Sequence, residues 1–306
     1  MSKFVKGIKL LVNPSKLVVR LNETKFSRLF SDKFFIKCAY KFHVGKKLNL
    51  KNPQTFNEKL QWLKLYNRKD IYTTMVDKYE VKKFIAEKLG EEYVIPTLGV
   101  WDNVEDIDFD ALPDKFVLKC TCNSGGLVIC KDKSKLNIEE VKKNLKKSLK
   151  NNYFWHGREW PYKNVKPRII AEKYMMEVQK DGQECLMDYK FFCFNGKVKV
   201  MYIANEKANP PTTDYFDVDF NHLDLITKDK NAKIMPEKPE KYDQMKNIAE
   251  TLSKDIPFVR VDFYCIDGQI YFGEFTFFHN AGLCSFKPDK WDAILGSWIE
   301  LPEKRK

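Results

Sequence analysis

The chain has 306 residues, which is enough for two or three subdomains with substantial cores. Its apolar content of 43% and charged content of 31% lie far from the composition of disordered chains. None of the eight cysteines forms a Cys-x-x-Cys pair, which argues against a zinc site and for free thiols in a reducing compartment. We therefore expect a globular, cytoplasmic protein.

The formal net charge of +12 is concentrated near the N-terminus, where residues 1–47 contain twelve Lys and Arg against only Glu23 and Asp32. Apolar residues interleave with these cations, but no apolar run approaches the roughly 20 residues of a membrane span. The apolar core and small-residue cleavage site of a signal peptide are also missing. Residues 1–50 are therefore predicted to form a basic amphipathic region.

Two interpretations of this basic region stay open. Attraction to anionic lipid is worth about 1 kcal/mol per basic residue near the surface, so the region could dock the chain peripherally on the inner face of a membrane. Flotation with anionic liposomes tests that hypothesis. Alternatively, the region packs on the body as helix. Nucleic acid is not an expected partner, because no recognised reading motif accompanies the charge.

A lysine and a glycine-containing loop come next along the chain. Residues 115–119 read as a short apolar strand that ends in Lys119, followed by a loop over 121–126 and a second strand over 127–130. Such a loop lets backbone N–H groups approach phosphate oxygens, while the lysine adds positive charge. It is not a P-loop, because no Gly-Lys-Ser/Thr opens a helix. The Gly-Gly pair by itself is weak evidence, because most such loops are ordinary turns.

The following elements are a helix and a strand. Ile138, Val141, Leu145 and Leu149 recur at helical spacing, which predicts a helix over 137–151. Residues 168–175 then read as an apolar strand that contains a Glu-Lys pair, Glu172 and Lys173. Lys190 alternates with aromatic residues on another predicted strand, where it could face either a site or solvent.

Residues 258–278 are the most informative segment. Asp267-Gly268 lies between two runs rich in β-branched and aromatic residues, which predicts a β-hairpin. A two-residue loop would leave Asp262 and Glu274 on opposite faces, whereas a three-residue loop would place them opposite each other, with Arg260 facing Thr276. Carboxylates paired at about 5 Å repel each other unless a cation or proton lies between them.

Oxygen ligands on a rigid hairpin suit Mg²⁺, and a neighbouring arginine suits a phosphate. We therefore expect the three-residue loop, with Asp262 facing Glu274 across the hairpin. The alternative is an ordinary amphipathic hairpin with a solvated acidic face.

These separated motifs together resemble the ATP-grasp superfamily, and within it the TupA-like group associated with teichuronopeptide biosynthesis. The resemblance covers roughly residues 50–300. The motifs that carry it are Asp77-Lys78, Val94-Ile95-Pro96, KFVLKCTCNSGG, RIIAEKYM, DYKFFCFNGK, FVRVDFY and YFGEFTF.

The resemblance implies an α/β (α+β) chain of the ATP-grasp fold, with ATP held between two subdomains. After the basic region, the expected parts are an N-terminal subdomain over 51–115, a lid and hinge subdomain over 116–180, and a catalytic, metal-binding subdomain over 181–306.

It also implies roles for individual residues. Lys78 and Lys119 would contact the ATP phosphates, residues 124–126 would form the lid, Glu172 would receive the adenine amino group, and the backbone of 173–175 would be the hinge. The ribose would meet Glu177 or Glu184, and the spacing does not choose between them. The ATP-binding set is thus Lys78, Lys119, Ser124, Gly125, Gly126, Glu172, Lys173, Met175 and Glu184.

Asp262 and Glu274 would hold Mg²⁺, while Arg260, together with Lys119, would neutralise the transferred phosphoryl group. Thr276 stands where the family's Glu-x-Asn pattern has Asn, and its hydroxyl is a weaker metal ligand, so a second metal stays an open question. Lys190 and His279 are the expected contacts with the substrate.

The implied reaction is the ATP-dependent joining of a carboxylate to an amine through an acyl phosphate. The group's association with capsule and other cell-surface polysaccharides implies a uronic acid or amino acid on a nucleotide- or lipid-linked sugar. Three alternatives stay open: a glycosyltransferase using Asp217-Val218-Asp219, an ATP-grasp kinase of a sugar hydroxyl, and a non-catalytic nucleotide-binding partner.

Overall fold

The computed structural model describes residues 28–123, 125–178, 184–205 and 210–304, with the backbone alone at 177, 178, 184 and 185. Most of the basic region and Ser124 therefore lie outside the described residues. The helices are α1 (Asp32–Val44), α2 (Phe56–Tyr66), α3 (Ile71–Val76), α4 (Glu80–Leu89), α5 (Ile138–Leu149), α6 (Phe154–Gly157), α7 (Tyr242–Leu252) and α8 (Lys290–Ser297).

The strands form two larger antiparallel sheets and one small hairpin. The orders are β1-β4-β2-β3 in the first sheet, β11-β10-β7-β8-β9 in the second, and β5-β6 in the hairpin. Their bounds are β1 (Thr97–Trp101), β2 (Phe116–Cys120), β3 (Val128–Cys130), β4 (Ile169–Lys173), β5 (Glu177–Val178), β6 (Glu184–Cys185), β7 (Asp188–Phe194), β8 (Lys197–Asn205), β9 (Thr212–Asp217), β10 (Phe258–Ile266) and β11 (Gln269–Thr276).

Each large sheet has a hydrophobic core of its own. The five-stranded sheet packs with α2, α7 and α8 around Phe56, whose ring meets Phe258 edge-on at 4.9 Å. A capping box of Thr55 and Glu58 begins α2 and so fixes where Phe56 enters that core. The four-stranded sheet packs against α5 through Leu118 and Leu145. Two separate cores leave room for a cleft between the sheets.

Most of the predicted elements are confirmed. The strands before and after the glycine loop are β2 and β3, the predicted helix is α5, and the Glu-Lys strand is β4. Lys78 lies between two helices, because Asp77 is extended (φ −71°, ψ 116°) and separates α3 from α4. The first sheet contains β1, which precedes the predicted subdomain boundary at residue 115, and β4, which follows it. The subdomain boundaries stay predictions. Among the described residues, no helix is long and apolar enough to cross a membrane.

The hairpin keeps the predicted pairing but reaches it by a different route. The three-residue loop is wrong: Ile266 pairs with Gln269, and Asp267 (φ 51°) and Gly268 (φ 75°) form a two-residue turn of the type I′ kind. The register then shifts at Gly273, because Phe263 pairs with Phe272 whereas Asp262 pairs with Glu274. One extra residue at a β-bulge thus restores the facing carboxylates.

Gly273 is the residue that this bulge requires. A Cβ there would lie 3.0 Å from the backbone oxygen of Asp262 and 3.3 Å from its carbonyl carbon. Because these are backbone atoms, they cannot relieve the close contact by changing rotamer as a side chain would. We therefore expect Gly273→Ala to lower the free energy of unfolding by about 1–3 kcal/mol through overpacking.

Urea denaturation measures this change. Gly125→Ala is the matched control, because its Cβ would meet its nearest neighbours only at 3.8 Å and 3.9 Å. Equal stability of Gly273→Ala and the wild type would show that the bulge tolerates a side chain.

Candidate active site

A narrow cleft lies between the two large sheets. Its lining combines three lysines with two carboxylates and one tyrosine, namely Lys78, Lys82, Lys119, Glu172, Glu274 and Tyr264. Its free volume is about 70 Å³, and it shares Lys82, Val94 and Ile95 with an open groove of about 460 Å³. The cleft therefore brings charged groups from α4, β2, β4 and β11 together.

A buried ion network occupies the five-stranded side. Nε of Arg260 donates to Oδ1 of Asp262 at 2.7 Å, and Nη2 donates to Oδ2 at 2.5 Å and to Oε1 of Glu274 at 3.0 Å. Nζ of Lys190 donates to Oδ2 of Asp262 at 2.7 Å and also to Asp188. Asp262 is 1% exposed, so its carboxylate is held by two cations away from water.

The charges of this network stabilise one another. Burial opposes ionisation of Asp262, but Arg260 and Lys190 outweigh that effect and hold its pKa below the usual value. Burial likewise opposes the charge of Lys190, and Asp262 and Asp188 keep its pKa well above the usual value. Burial raises the pKa of Asp188 to about 6, against the opposing charge of Lys190. The substrate contact predicted for Lys190 stays a prediction, since the ammonium is already engaged by two carboxylates.

His279 and Thr276 border the same network. Nδ1 of His279 lies 3.1 Å from Nη1 of Arg260, and its ring meets Phe192 edge-on at 4.9 Å. Burial and the neighbouring Arg260 hold the pKa of His279 well below its usual value, so the ring is neutral and positions the guanidinium. The Thr276 hydroxyl donates to Oε1 of Glu274 at 3.2 Å.

On the opposite side of the cleft, Glu172 binds two lysines. Its Oε1 lies 2.6 Å from Nζ of Lys82, and its Oε2 lies 2.6 Å from Nζ of Lys119. Nζ of Lys82 also donates to the Ile95 carbonyl at 2.7 Å. Burial opposes ionisation of Glu172, but the two lysines outweigh it and lower its pKa. The predicted contact of Glu172 with adenine would compete with these ion pairs.

The glycine loop is tied to α5. The side-chain amide of Asn123 donates to the carbonyl and hydroxyl of Ser148 at 2.7 Å and 2.9 Å, and its Oδ1 accepts from the Gly125 N–H at 2.9 Å. Gly126 has φ +70°, and a Cβ there would lie 2.3 Å from Oγ of Ser148, so only glycine fits. Nζ of Lys78 donates to the Asn123 carbonyl at 2.5 Å. Lys78 is thus brought against the predicted phosphate loop.

The remaining predicted residues lie around β4 and beyond it. The Lys173 N–H donates to the Pro96 carbonyl at 3.0 Å, its side chain is exposed, and Met175 is half-buried. The backbone of Glu184 pairs with Val178. The ribose contact of Glu177 or Glu184 therefore stays a prediction.

Sequence reasoning missed Lys82 and Asp188. Asp188 had a detectable signal, because it lies two residues before Lys190 on one face of a strand. Lys82 had none of this kind, because Lys78 precedes α4 and helical spacing does not relate the two lysines. The periodicity of a strand predicts that Asp188 shares a face with Lys190, but it does not decide whether that face meets a site or solvent.

The carboxylates suit a magnesium ion that is shared with phosphates. Among the residues described, no three His, Cys, Asp or Glu side chains cluster so as to hold a metal. Mg²⁺ usually takes only one or two protein carboxylates and completes its shell with water and substrate phosphates. Glu274, whose side chain is 50% exposed, can offer an oxygen directly, whereas Asp262 must first release a cation. The donor set fits Mg²⁺ under that condition.

The cleft lies between two antiparallel sheets, with Lys119 on one sheet and Glu274 on the hairpin of the other, which is the arrangement expected of the class of ATP-grasp proteins. The profile of the TupA-like ATP-grasp family matches residues 58–300. The chain therefore belongs to this family, and the predicted ATP-grasp fold is confirmed. No curated protein sequence matches the chain.

Among solved structures, the chain is similar to D-alanine–D-alanine ligase from Bacillus anthracis complexed with ATP, with 18% identity and a TM-score of 0.39 over 66% of this chain and 53% of that one. The corresponding ligase from Helicobacter pylori shares 17% identity, with a TM-score of 0.45 over 82% and 70% of the chains. An N5-carboxyaminoimidazole ribonucleotide synthetase in complex with ADP shares 16% identity, with a TM-score of 0.40 over 72% and 50%. The chain thus spans little more than half the length of the first of these relatives.

Glu172 provides a test of the cleft's electrostatics. Glu172→Gln leaves Lys82 and Lys119 without their counter-charge, and we expect a loss of about 2 kcal/mol in the free energy of unfolding at pH 7. This is less than the roughly 3–5 kcal/mol of a fully buried pair, because Lys119 is partly exposed.

The pH dependence has a defined sign. The folded-state pKa of Glu172 is lowered, so its stabilisation is complete above the unfolded-state pKa of about 4.3 and is lost as pH falls through the lower folded value. Denaturation at a series of pH values should show the two proteins converging in acid. A constant difference down to the lowest pH would contradict this assignment.

Proposed function

We propose that the chain is an ATP- and Mg²⁺-dependent ligase that joins a carboxylate to an amine through an acyl phosphate. The observation that carries this proposal is the Arg260–Asp262–Lys190 network, with Glu274 at the cleft and Lys78 and Lys119 on its opposite side. Membership of the TupA-like ATP-grasp family supports it.

The proposed reaction has two steps. A substrate carboxylate oxygen attacks the γ-phosphorus, the bond to the bridging oxygen breaks, and ADP leaves. An amine nitrogen then attacks the acyl carbon, inorganic phosphate leaves, and the nitrogen loses a proton as the amide forms. Each step develops negative charge on phosphoryl oxygens, and fixed cations stabilise such charge without having to reorganise.

The residues divide this work. Arg260, oriented by Asp262 and His279, would neutralise the phosphoryl group in transfer, and Lys78 and Lys119 would bind the phosphates from the other side. Asp262 and Glu274 would hold Mg²⁺, which would supply further neutralisation of phosphate charge.

Nucleotide binding would have to widen the cleft. A free volume of about 70 Å³ is far below the roughly 300–1,000 Å³ of ordinary ligand pockets. Lys78 and Lys119 also hold protein partners, the Asn123 carbonyl and Glu172. We infer that ATP phosphates replace these partners as the two sheets move apart.

The family's association with cell-surface polysaccharides supports a proposal for the carboxylate substrate. We propose a uronic acid or amino acid on a nucleotide- or lipid-linked sugar, in the synthesis of capsule or a related cell-surface polysaccharide. Peripheral docking on an anionic membrane would suit a lipid-linked substrate. In the described part of the basic region, α1 buries Phe35 and Ile36 against the body, as the alternative interpretation expects, and leaves Lys33 and Lys37 exposed.

Two other activities remain as candidates. A kinase of a sugar hydroxyl would use the same cations. A glycosyltransferase would use Asp217, but its carboxylate accepts the N–H groups of Asp219 and Asn221 at 2.9 Å and 2.8 Å. The Asp-Val-Asp motif thus forms a local turn, which favours the ATP-dependent activities.

Binding of ATP is the first test. At a concentration of 100 times its Kd, Mg²⁺·ATP should stabilise the folded state by about 2.7 kcal/mol and raise the Tm. Glu274→Gln should remove the Mg²⁺-dependent part, whereas Glu87→Gln, an exposed control, should retain it. Stabilisation by a UDP-sugar but not by ATP would make sugar transfer the leading function.

Release of ADP distinguishes the remaining reactions. With uronic acids, amino acids and amines supplied as substrates, ADP should form only when a carboxylate is present, and Arg260→Lys should lower the rate by about 100-fold or more. A retained Tm shift with Mg²⁺·ATP shows that this variant still folds and binds. Release of ADP with a sugar hydroxyl and no carboxylate would establish a kinase instead.

A further inference from the structure

A second cavity, which the proposed chemistry has not used, lies between α1, α2 and residues 153–159. Its volume is about 120 Å³. Apolar and polar side chains both line it, among them Phe35, Gln61, Lys64, His156, Glu159 and Ala281.

Glu159 is the unusual member of this lining. The residue is 4% exposed, yet its carboxylate takes part in none of the hydrogen bonds or ion pairs among the described residues. Lys64, whose charge acts on Glu159, directs its hydrogen bonds elsewhere: its Nζ donates to the carbonyls of Gly157 and Ala281, both at 2.7 Å. A buried carboxyl group without a donor is costly. The cavity therefore offers an unused acceptor.

The electrostatics agree with that geometry. Burial raises the pKa of Glu159 to about 7, with Lys64 acting in the opposite direction and Glu274 adding to the rise. Burial also lowers the pKa of Lys64 to about 8. A bound N–H donor would favour the ionised form of Glu159.

One short turn separates this cavity from the active site. The turn His279–Gly282 begins at His279, which contacts Arg260 at 3.1 Å. It continues to Ala281, whose carbonyl accepts from Lys64 and, at 2.9 Å, from Gln61. A ligand in the cavity would thus lie next to the group that is proposed to hold the transferred phosphate.

We propose that this cavity binds the amine substrate, with Glu159 accepting the N–H groups of a small primary amine. The apolar wall from α1 suits its methylene groups, and the volume suits a short alkyl chain. This inference rests on the proposed ligase reaction, which requires an amine beside the acyl phosphate.

Ligand-observed saturation-transfer NMR with ethylammonium tests the proposal. Tetramethylammonium is the matched probe, since it carries the same charge and no N–H. The wild type should give a signal with ethylammonium only, and Glu159→Gln should weaken binding at least about tenfold. Glu87→Gln, which makes the same change on an exposed helix face, should bind as the wild type does.

A second variant keeps the carboxylate and fills the space. A Cβ at Gly157 would lie 3.2 Å from Oε1 of Glu159 and 3.1 Å from Cβ of Ala281, so Gly157→Ala should also weaken ethylammonium binding. Equal binding by both variants and the wild type, or no binding by the wild type, would overturn the amine site.

Mg²⁺·ATP stabilisation, measured on the same samples, separates this inference from the proposed function. If the ATP shift is present and ethylammonium fails to bind, the amine site is wrong and the ATP site stands. If ethylammonium binds through Glu159 and the ATP shift is missing, the cavity binds amines but its role in a ligase reaction is wrong.

Discussion

The arrangement of the active site depends on one buried carboxylate. Asp262 lies on β10, an interior strand of the five-stranded sheet, where Arg260 from the same strand and Lys190 from β7 donate to it. Removing such charges from water costs several kcal/mol per ion, and good geometry with full hydrogen bonding must offset it. The pairing of β7 with β10 supplies that geometry, so the sheet and the charge network form together.

This constraint also fixes what faces the cleft. The bulge at Gly273 turns Glu274 toward Arg260, so a half-exposed carboxylate stands at the edge of a buried network. On the other sheet, Glu172 forms ion pairs with both Lys82 and Lys119. Each side of the cleft therefore holds cations in place through a carboxylate of its own. An anionic ligand that binds cations on both sides of the cleft would hold the two sheets together.

Two sites of different chemistry meet at the turn His279–Gly282. On one side, His279 contacts Arg260, which is proposed to neutralise a phosphoryl group, and on the other side Ala281 borders the cavity of Glu159. Lys64, buried beneath the turn, donates to its backbone. A ligase that uses an acyl phosphate needs an electrophile and an amine side by side, and this turn adjoins both of the proposed sites.

The sequence by itself determined the local elements and most of the cation and carboxylate positions. Alternation, turn residues and helical spacing are short-range signals, so β2, β4, α5 and the hairpin could be predicted. Tertiary structure decided which charges become partners. Glu172 meets Lys82 and Lys119, and Asp262 meets Lys190, across long stretches of chain. The bulge at Gly273 and the cavity at Glu159 were likewise decided there, because packing against neighbouring backbone and side chains leaves no periodic trace in the sequence.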